Sequence, residues 1–169
     1  MKKSCAILII LSYIFNNSLL VKGQELCKIY YLENNFEENL IFDEYIILGE
    51  FMDEYKIKLV LETFLYNSQK NFNYIPNGTK VLNVKLINKD LFINFNNNIE
   101  NYGGNHYETN LIRQILHTCF QFENIQSVTF LIDGNFKVLP EGNLVFKYTR
   151  EDLEIMDYNQ NIVLKESKK

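Results

Sequence analysis

The sequence predicts an α+β fold, a small mixed or antiparallel sheet with two helices packed on one face. Three observations lead there. Val81, Val84 and Leu86, then Leu91, Ile93 and Phe95, form two β-rich runs joined by polar Asn88-Lys89-Asp90, the pattern of a hairpin. Leu111, Ile112, Ile115, Leu116, Cys119 and Phe120 recur at helical spacing and make an apolar stripe about 100° wide. Val128, Phe130 and Ile132 alternate ahead of Asp133-Gly134, as in a strand that ends in a turn.

The remaining elements follow from the same rules in chain order. Met1-Lys2-Lys3 is a basic start, residues 6–15 are an apolar run, and Val21 and Gly23 suit a signal-peptidase site, so residues 1–23 read as a signal peptide cut before Gln24 or as an N-terminal anchor. Asn16 and Asn17 interrupt the run short of the ~18 to 20 apolar residues that a bilayer span needs. A strand is expected over 28–32, an acidic loop over 33–39, and a second apolar run over 40–48. Asp53 and Glu54 favour the positive end of a helix whose apolar face is Ile57, Val60, Leu61, Phe64 and Leu65. A polar connection over 66–74 leads to Pro76-Asn77-Gly78, where proline fixes φ and Asn-Gly tolerates positive φ. After Asp133-Gly134 come Phe136, Val138 and Leu139, a turn over 140–143, a return strand over 144–148, and a short helix over 150–157. One domain over 24–149 with a C-terminal tail over 150–169 is therefore expected, and 169 residues at 47% apolar content suffice for its core.

Charge narrows the partners. The chain carries a net charge of −4, and its leader holds Lys2, Lys3 and Lys22 with no acids, so the exported part is more acidic still. Nucleic-acid binding is disfavoured, because neutralising phosphates needs a basic stripe. Lys165, Lys168 and Lys169 stand in a polar end and read as solvated charge.

No constellation points to catalysis, to a cofactor or to a metal. His106 and His117 are the only histidines, and His117 lies two positions from Cys119, which sends the two side chains to different helix faces. Cys27 and Cys119 would remain after the leader is removed; a disulfide between them is possible in an exported chain, but Cys119 sits on the apolar stripe and reads better as a small buried residue. There is no Gly-x-Ser-x-Gly and no glycine-rich phosphate loop. The pairs Glu37-Glu38, Asp43-Glu44 and Glu151-Asp152 offer two carboxylates in principle, but adjacent acids in polar segments read first as solvated surface. Asp133, before a glycine, reads first as a turn former.

The ordered set of motifs resembles one family. Pro76-Asn77-Gly78-Thr79-Lys80-Val81 matches a Pro-x-Gly-Thr entry, and 91–96 matches the strand after the hairpin turn. Glu108, Leu111 and Thr118 match the helix, and 128–134 matches a strand closing in Asp-Gly. Together these are similar to the GerMN domain of spore-germination and sporulation proteins, with Asn94 and Asn96 where an Asp and a Ser are usual and Glu123-Asn124 where a Pro is usual. The resemblance implies a fold like that of ring-building domains of envelope secretion machines. It also implies a non-catalytic, exported cell-envelope protein that assembles with envelope proteins of sporulation, with weak homo-oligomerisation possible and membrane contact through an uncleaved N-terminal segment if at all. The alternative is a secreted cell-wall-binding module or wall-active enzyme that uses its aromatics and acids as a cleft.

Overall fold

The computed structural model describes residues 24–32, 40–49, 53–67 and 74–167. The leader, the 33–39 loop with Glu37 and Glu38, and Lys168-Lys169 lie outside them. The elements are β1 (Gln24–Leu32), β2 (Leu40–Leu48), α1 (Asp53–Asn67), β3 (Val81–Ile87), β4 (Asp90–Phe95), a single 3-10 turn (Asn97–Glu100), α2 (Asn105–Phe120), β5 (Ser127–Ile132) and α3 (Arg150–Ser167).

The α+β class holds, and the described strands divide into two sheets where one was expected. β1 and β2 form an antiparallel pair, and β3, β4 and β5 form a second sheet in that order. β3 and β4 are antiparallel, whereas β4 and β5 run parallel because α2 carries the chain back between them. Register aligns Leu91 with Val128, Ile93 with Phe130 and Phe95 with Ile132, so one buried row runs across both strands. Each such side chain contributes about 1.5 to 3 kcal/mol on burial. Phe95 and Phe130 meet edge to face with ring centroids 5.3 Å apart.

β1 stays out of the larger sheet because side chains, not a strand, meet its second edge. Gln121 accepts from the Lys28 N–H at 2.6 Å and donates to the Lys28 carbonyl at 2.7 Å, so one amide stands in for a strand's peptide group. Thr118 Oγ1 accepts from the Tyr30 N–H at 3.4 Å. β3 is met in the same way: Glu54, at the start of α1, accepts from the Leu86 N–H at 2.8 Å. Backbone groups satisfied by side chains no longer template an added strand.

The turns match their local chemistry. Asn88 and Lys89 (φ 51° and 71°), like Asp133 and Gly134 (φ 47° and 80°), place two successive residues in the left-handed region, as two-residue hairpin turns require. At Gly78 the φ of 82° calls for glycine, and a Cβ there would also push aside the Asn98 amide, whose nitrogen would lie 2.5 Å away.

Two expectations are corrected. Residues 144–148 do not form a regular return strand. Val145 and Tyr148 bond to the β5 backbone, but Lys147 turns to φ 54° between them, and its N–H goes to Thr129 Oγ1 instead of a ladder carbonyl. The helix expected over 150–157 continues to Ser167 as α3, and its start docks on α2. Thr149 and Asp152 cap it reciprocally: Asp152 Oδ2 accepts from the Thr149 N–H and hydroxyl at 2.8 Å each, and the Asp152 N–H donates to Thr149 Oγ1 at 3.4 Å.

Candidate functional site: a loop held by a buried carboxylate

Glu108 lies in the first turn of α2, where an acid ordinarily faces solvent and complements the helix dipole. Here its exposure is 0%. Its Oε2 accepts from the Tyr102 hydroxyl at 2.7 Å and the Glu141 N–H at 2.8 Å, and its Oε1 accepts from the Asn143 N–H at 3.0 Å and the Asn143 amide at 2.6 Å. Burial by itself would raise the carboxyl's pKa, but these hydrogen bonds outweigh it and hold the group below its ordinary value. The Tyr102 hydroxyl is pushed up correspondingly, by burial first and by Glu108 second.

This carboxylate holds the loop between β5 and α3. The turn at its tip closes through Leu139 N–H to the Asn143 carbonyl at 2.8 Å and Gly142 N–H to the Leu139 carbonyl at 3.0 Å. Glu141 adds an outward brace by accepting from the Gly104 N–H at 2.7 Å. Leu139 and Val145 point into the core, while Phe136, Val138, Leu144 and Phe146 stay 42–59% exposed. The Phe136 and Phe146 rings meet edge to face at 5.6 Å, so the displayed side chains form a patch.

The residues that carry the family resemblance turn out to be turn and anchor groups. Thr79 donates to the Pro76 carbonyl at 2.7 Å, and Thr118 donates to the Gln114 carbonyl at 2.9 Å while facing β1. Asn94 and Asn96, two of the substituted positions, have work of the same kind. Asn94 Oδ1 accepts from the Gly134 N–H at 2.8 Å, which an Asp could also do. Asn96 accepts from the Lys80 N–H at 2.8 Å and donates to the Gly78 carbonyl at 3.0 Å, tying β4 to the Pro-x-Gly-Thr turn.

The chemical candidates are placed as follows. His106 packs edge-on against Tyr74 at 5.8 Å and lies 3.1 Å from the Asn110 amide. His117 lies 3.0 Å from Asp157, whose other oxygen accepts from Arg113 Nε at 2.8 Å, so α3 is clasped to α2. Burial would raise the Asp157 pKa, but His117 and Arg113 hold it below the usual carboxylate value. Arg150 adds bonds to carbonyls at the end of α2 and beyond it, among them that of Phe122 at 3.0 Å. Asp43 and Glu44 are exposed on β2, Asp152 serves the α3 cap, and Asp133 occupies its turn. Cys27 and Cys119 are free and buried, and no bridge joins them. Burial pushes the Cys27 thiol up to about 11 and raises Cys119 as well, which suppresses thiolate chemistry at both. Among the described residues no group of three or more His, Cys, Asp or Glu could hold a metal, and no helix is long and apolar enough to cross a membrane.

Reading by residue pattern assigned Glu108 no structural role. Its signal was spacing: it precedes Leu111, Ile112 and Ile115 by three, four and seven positions, which puts an acid on the apolar stripe.

Comparison with known proteins agrees with this architecture. The fold is similar to a protein from Clostridium perfringens described as a lipoprotein (18% identity, TM-score 0.55, 81% of this chain and 95% of that one). It is similar to the first GerMN domain of the sporulation protein GerM from Bacillus subtilis (21% identity, TM-score 0.57, 76% of this chain and 99% of that one). Against the tandem GerMN domains of the same protein the match spans 47% of the longer chain, at 18% identity and TM-score 0.57. No curated protein matches by sequence. The family model for Germane, sporulation and spore germination, matches residues 28–138, well over half of the chain. With its turns, its helix and its Glu108 anchor in the arrangement described, the chain belongs to the Germane (GerMN) family of sporulation and spore-germination domains.

Proposed function

We propose that this domain is a non-catalytic protein–protein assembly module, exported to the cell envelope and acting in sporulation or germination. The observation that carries the reading is the 135–146 loop. A buried carboxylate and a closed turn hold its backbone, while Phe136, Val138, Leu144 and Phe146 are displayed to solvent. An apolar patch already ordered before binding loses little conformational entropy on docking, which favours an interface over a flexible surface loop. The basic and apolar leader supports export, and the likeness to GerM and to a protein described as a lipoprotein supports an envelope location. The two histidines, the Cys27 and Cys119 thiols, Glu108, Asp152 and Asp157 are engaged in packing, caps and anchors, which supports a role without bond-making chemistry. Partners are then envelope proteins of a sporulation assembly, with weak self-association at most.

A photo-crosslinking residue at Phe136 or Phe146 in sporulating cells tests this. Crosslinks to envelope proteins are expected, and they should disappear in a Phe136→Ser/Phe146→Ser variant assayed from a neighbouring probe at Val138. A folded, exported protein that crosslinks to nothing from any of the three sites would overturn the reading.

A further inference from the structure

A groove of about 510 Å³ opens on the other side of the Glu108 anchor, where α2, the loop and α3 meet. Its size falls within the roughly 300 to 1,000 Å³ of small-ligand sites. Asn105 and Thr109 face it from α2, Asn143 and Tyr148 from the loop, and Asp152, Asn159 and the apolar Ile155 and Met156 from α3. The side chains of Asn105, Thr109 and Asn159 hydrogen-bond to no described residue, so their donors and acceptors are open to a ligand. Asn143 is different: its backbone N–H and its side-chain NH2 both donate to Glu108, and a carboxylate can only accept. The flip state of that amide is thereby fixed, and its carbonyl oxygen has no partner among the described residues and is a pre-oriented acceptor.

We infer that this groove binds a neutral glycan bearing hydroxyl and acetamido groups. Amides and hydroxyls both donate and accept, as do the groups of such a sugar, and the Tyr148 ring beside them offers a face for its C–H surfaces. Among the described residues no Lys, Arg or His lines the groove and Asp152 does, so phosphate, sulfate and carboxylate ligands are disfavoured. The site is separate from the exposed Phe136 and Phe146 patch and does not depend on that patch having a partner.

The test is titration of the isotope-labelled full chain with chitotetraose, following the side-chain amide signals of Asn105, Asn143 and Asn159 by NMR. Saturable shifts with a dissociation constant near or below about 1 mM are expected. Asn105→Ala/Asn159→Ala changes only exposed side chains that bond to no described residue, and should weaken binding by about tenfold or more with the backbone spectrum otherwise unchanged. Phe136→Ser should leave the affinity unaltered, which separates failure of this site from failure of the docking loop. The inference is overturned if no saturable shift develops by about 10 mM, if the double variant binds as well as the parent, or if an uncharged Gly-Ser peptide binds in place of the glycan.

Discussion

Helix α2 holds two segments against itself through carboxylates, one buried and one half-buried, and the two attachments are built differently. Near its start, its own Glu108 receives four neutral donors, three of them from the 139–143 turn region. Further along, Arg113 and His117 receive Asp157 from α3. The first is a charge solvated by backbone N–H groups, a hydroxyl and an amide, with no cation among them. The second is an ion pair, with Asp157 29% exposed at its side chain and Arg113 8%. Removing the acceptor at Glu108 strands several buried donors at once, whereas the Asp157 clasp keeps partial access to water and is weakened by salt. The loop is thus fixed by neutral donors, and α3 is fixed by charge.

Glu108→Ala should break the comparison most sharply. It leaves the Tyr102 hydroxyl and the Glu141 and Asn143 N–H groups unpaired, at a cost of about 3 to 5 kcal/mol in chemical denaturation. Amide exchange at Glu141 and Asn143 should rise before that of β4. A loss below 1 kcal/mol, about the size of one ordinary hydrogen bond, would show that the loop holds itself.

Leu116→Ala supplies the apolar benchmark on the same helix. Leu116 is fully buried, and the change should cost about 2 to 5 kcal/mol. A neutral result would mean that the packing around this face of α2 collapses without loss.

Asp157→Asn should cost less, about 1 to 3 kcal/mol, and accelerate exchange in α3 while sparing the β3–β5 sheet. Its cost should shrink in 1 M salt, where the Debye length is about 3 Å, and that of Glu108→Ala should not. Equal salt dependence would erase the proposed difference.

Acid should act on both attachments. Both carboxyls sit below their ordinary values when folded, so their stabilisation is complete above the unfolded pKa and is lost as pH falls through the folded one. Stability should therefore be flat on this account near neutrality and decline below about pH 4. Glu108→Gln and Asp157→Asn should each remove part of that decline in pH-dependent denaturation.

Gln121→Ala should have the smallest effect, about 1 kcal/mol, seen chiefly as faster exchange at the Lys28 N–H. Enhanced self-association of the variant would show that the Gln121 amide also guards the β1 edge against strand addition.

Residue pattern settles whatever a few neighbouring residues decide. The positive φ of Asn88 and of Asp133-Gly134 follows local preference, with Lys89 carried along by its hairpin, and the inward faces of α1, α2, β4 and β5 follow from the period of their apolar residues. Glu108, Thr118 and the Pro76 to Thr79 turn marked the family because each fixes a turn or anchor, although their partners could not be read from spacing. Tertiary structure alone decided the rest. β1 leaves the larger sheet because Gln121, 93 residues away, occupies its edge. α3 extends past its capped start and docks because Asp157 meets Arg113, 44 residues earlier. Residues 144–148 lose strand form at Lys147, where the N–H finds a threonine hydroxyl. A polar side chain carries no sign in sequence of whether water or a distant backbone group will satisfy it, since that depends on which chain segments the hydrophobic core brings together.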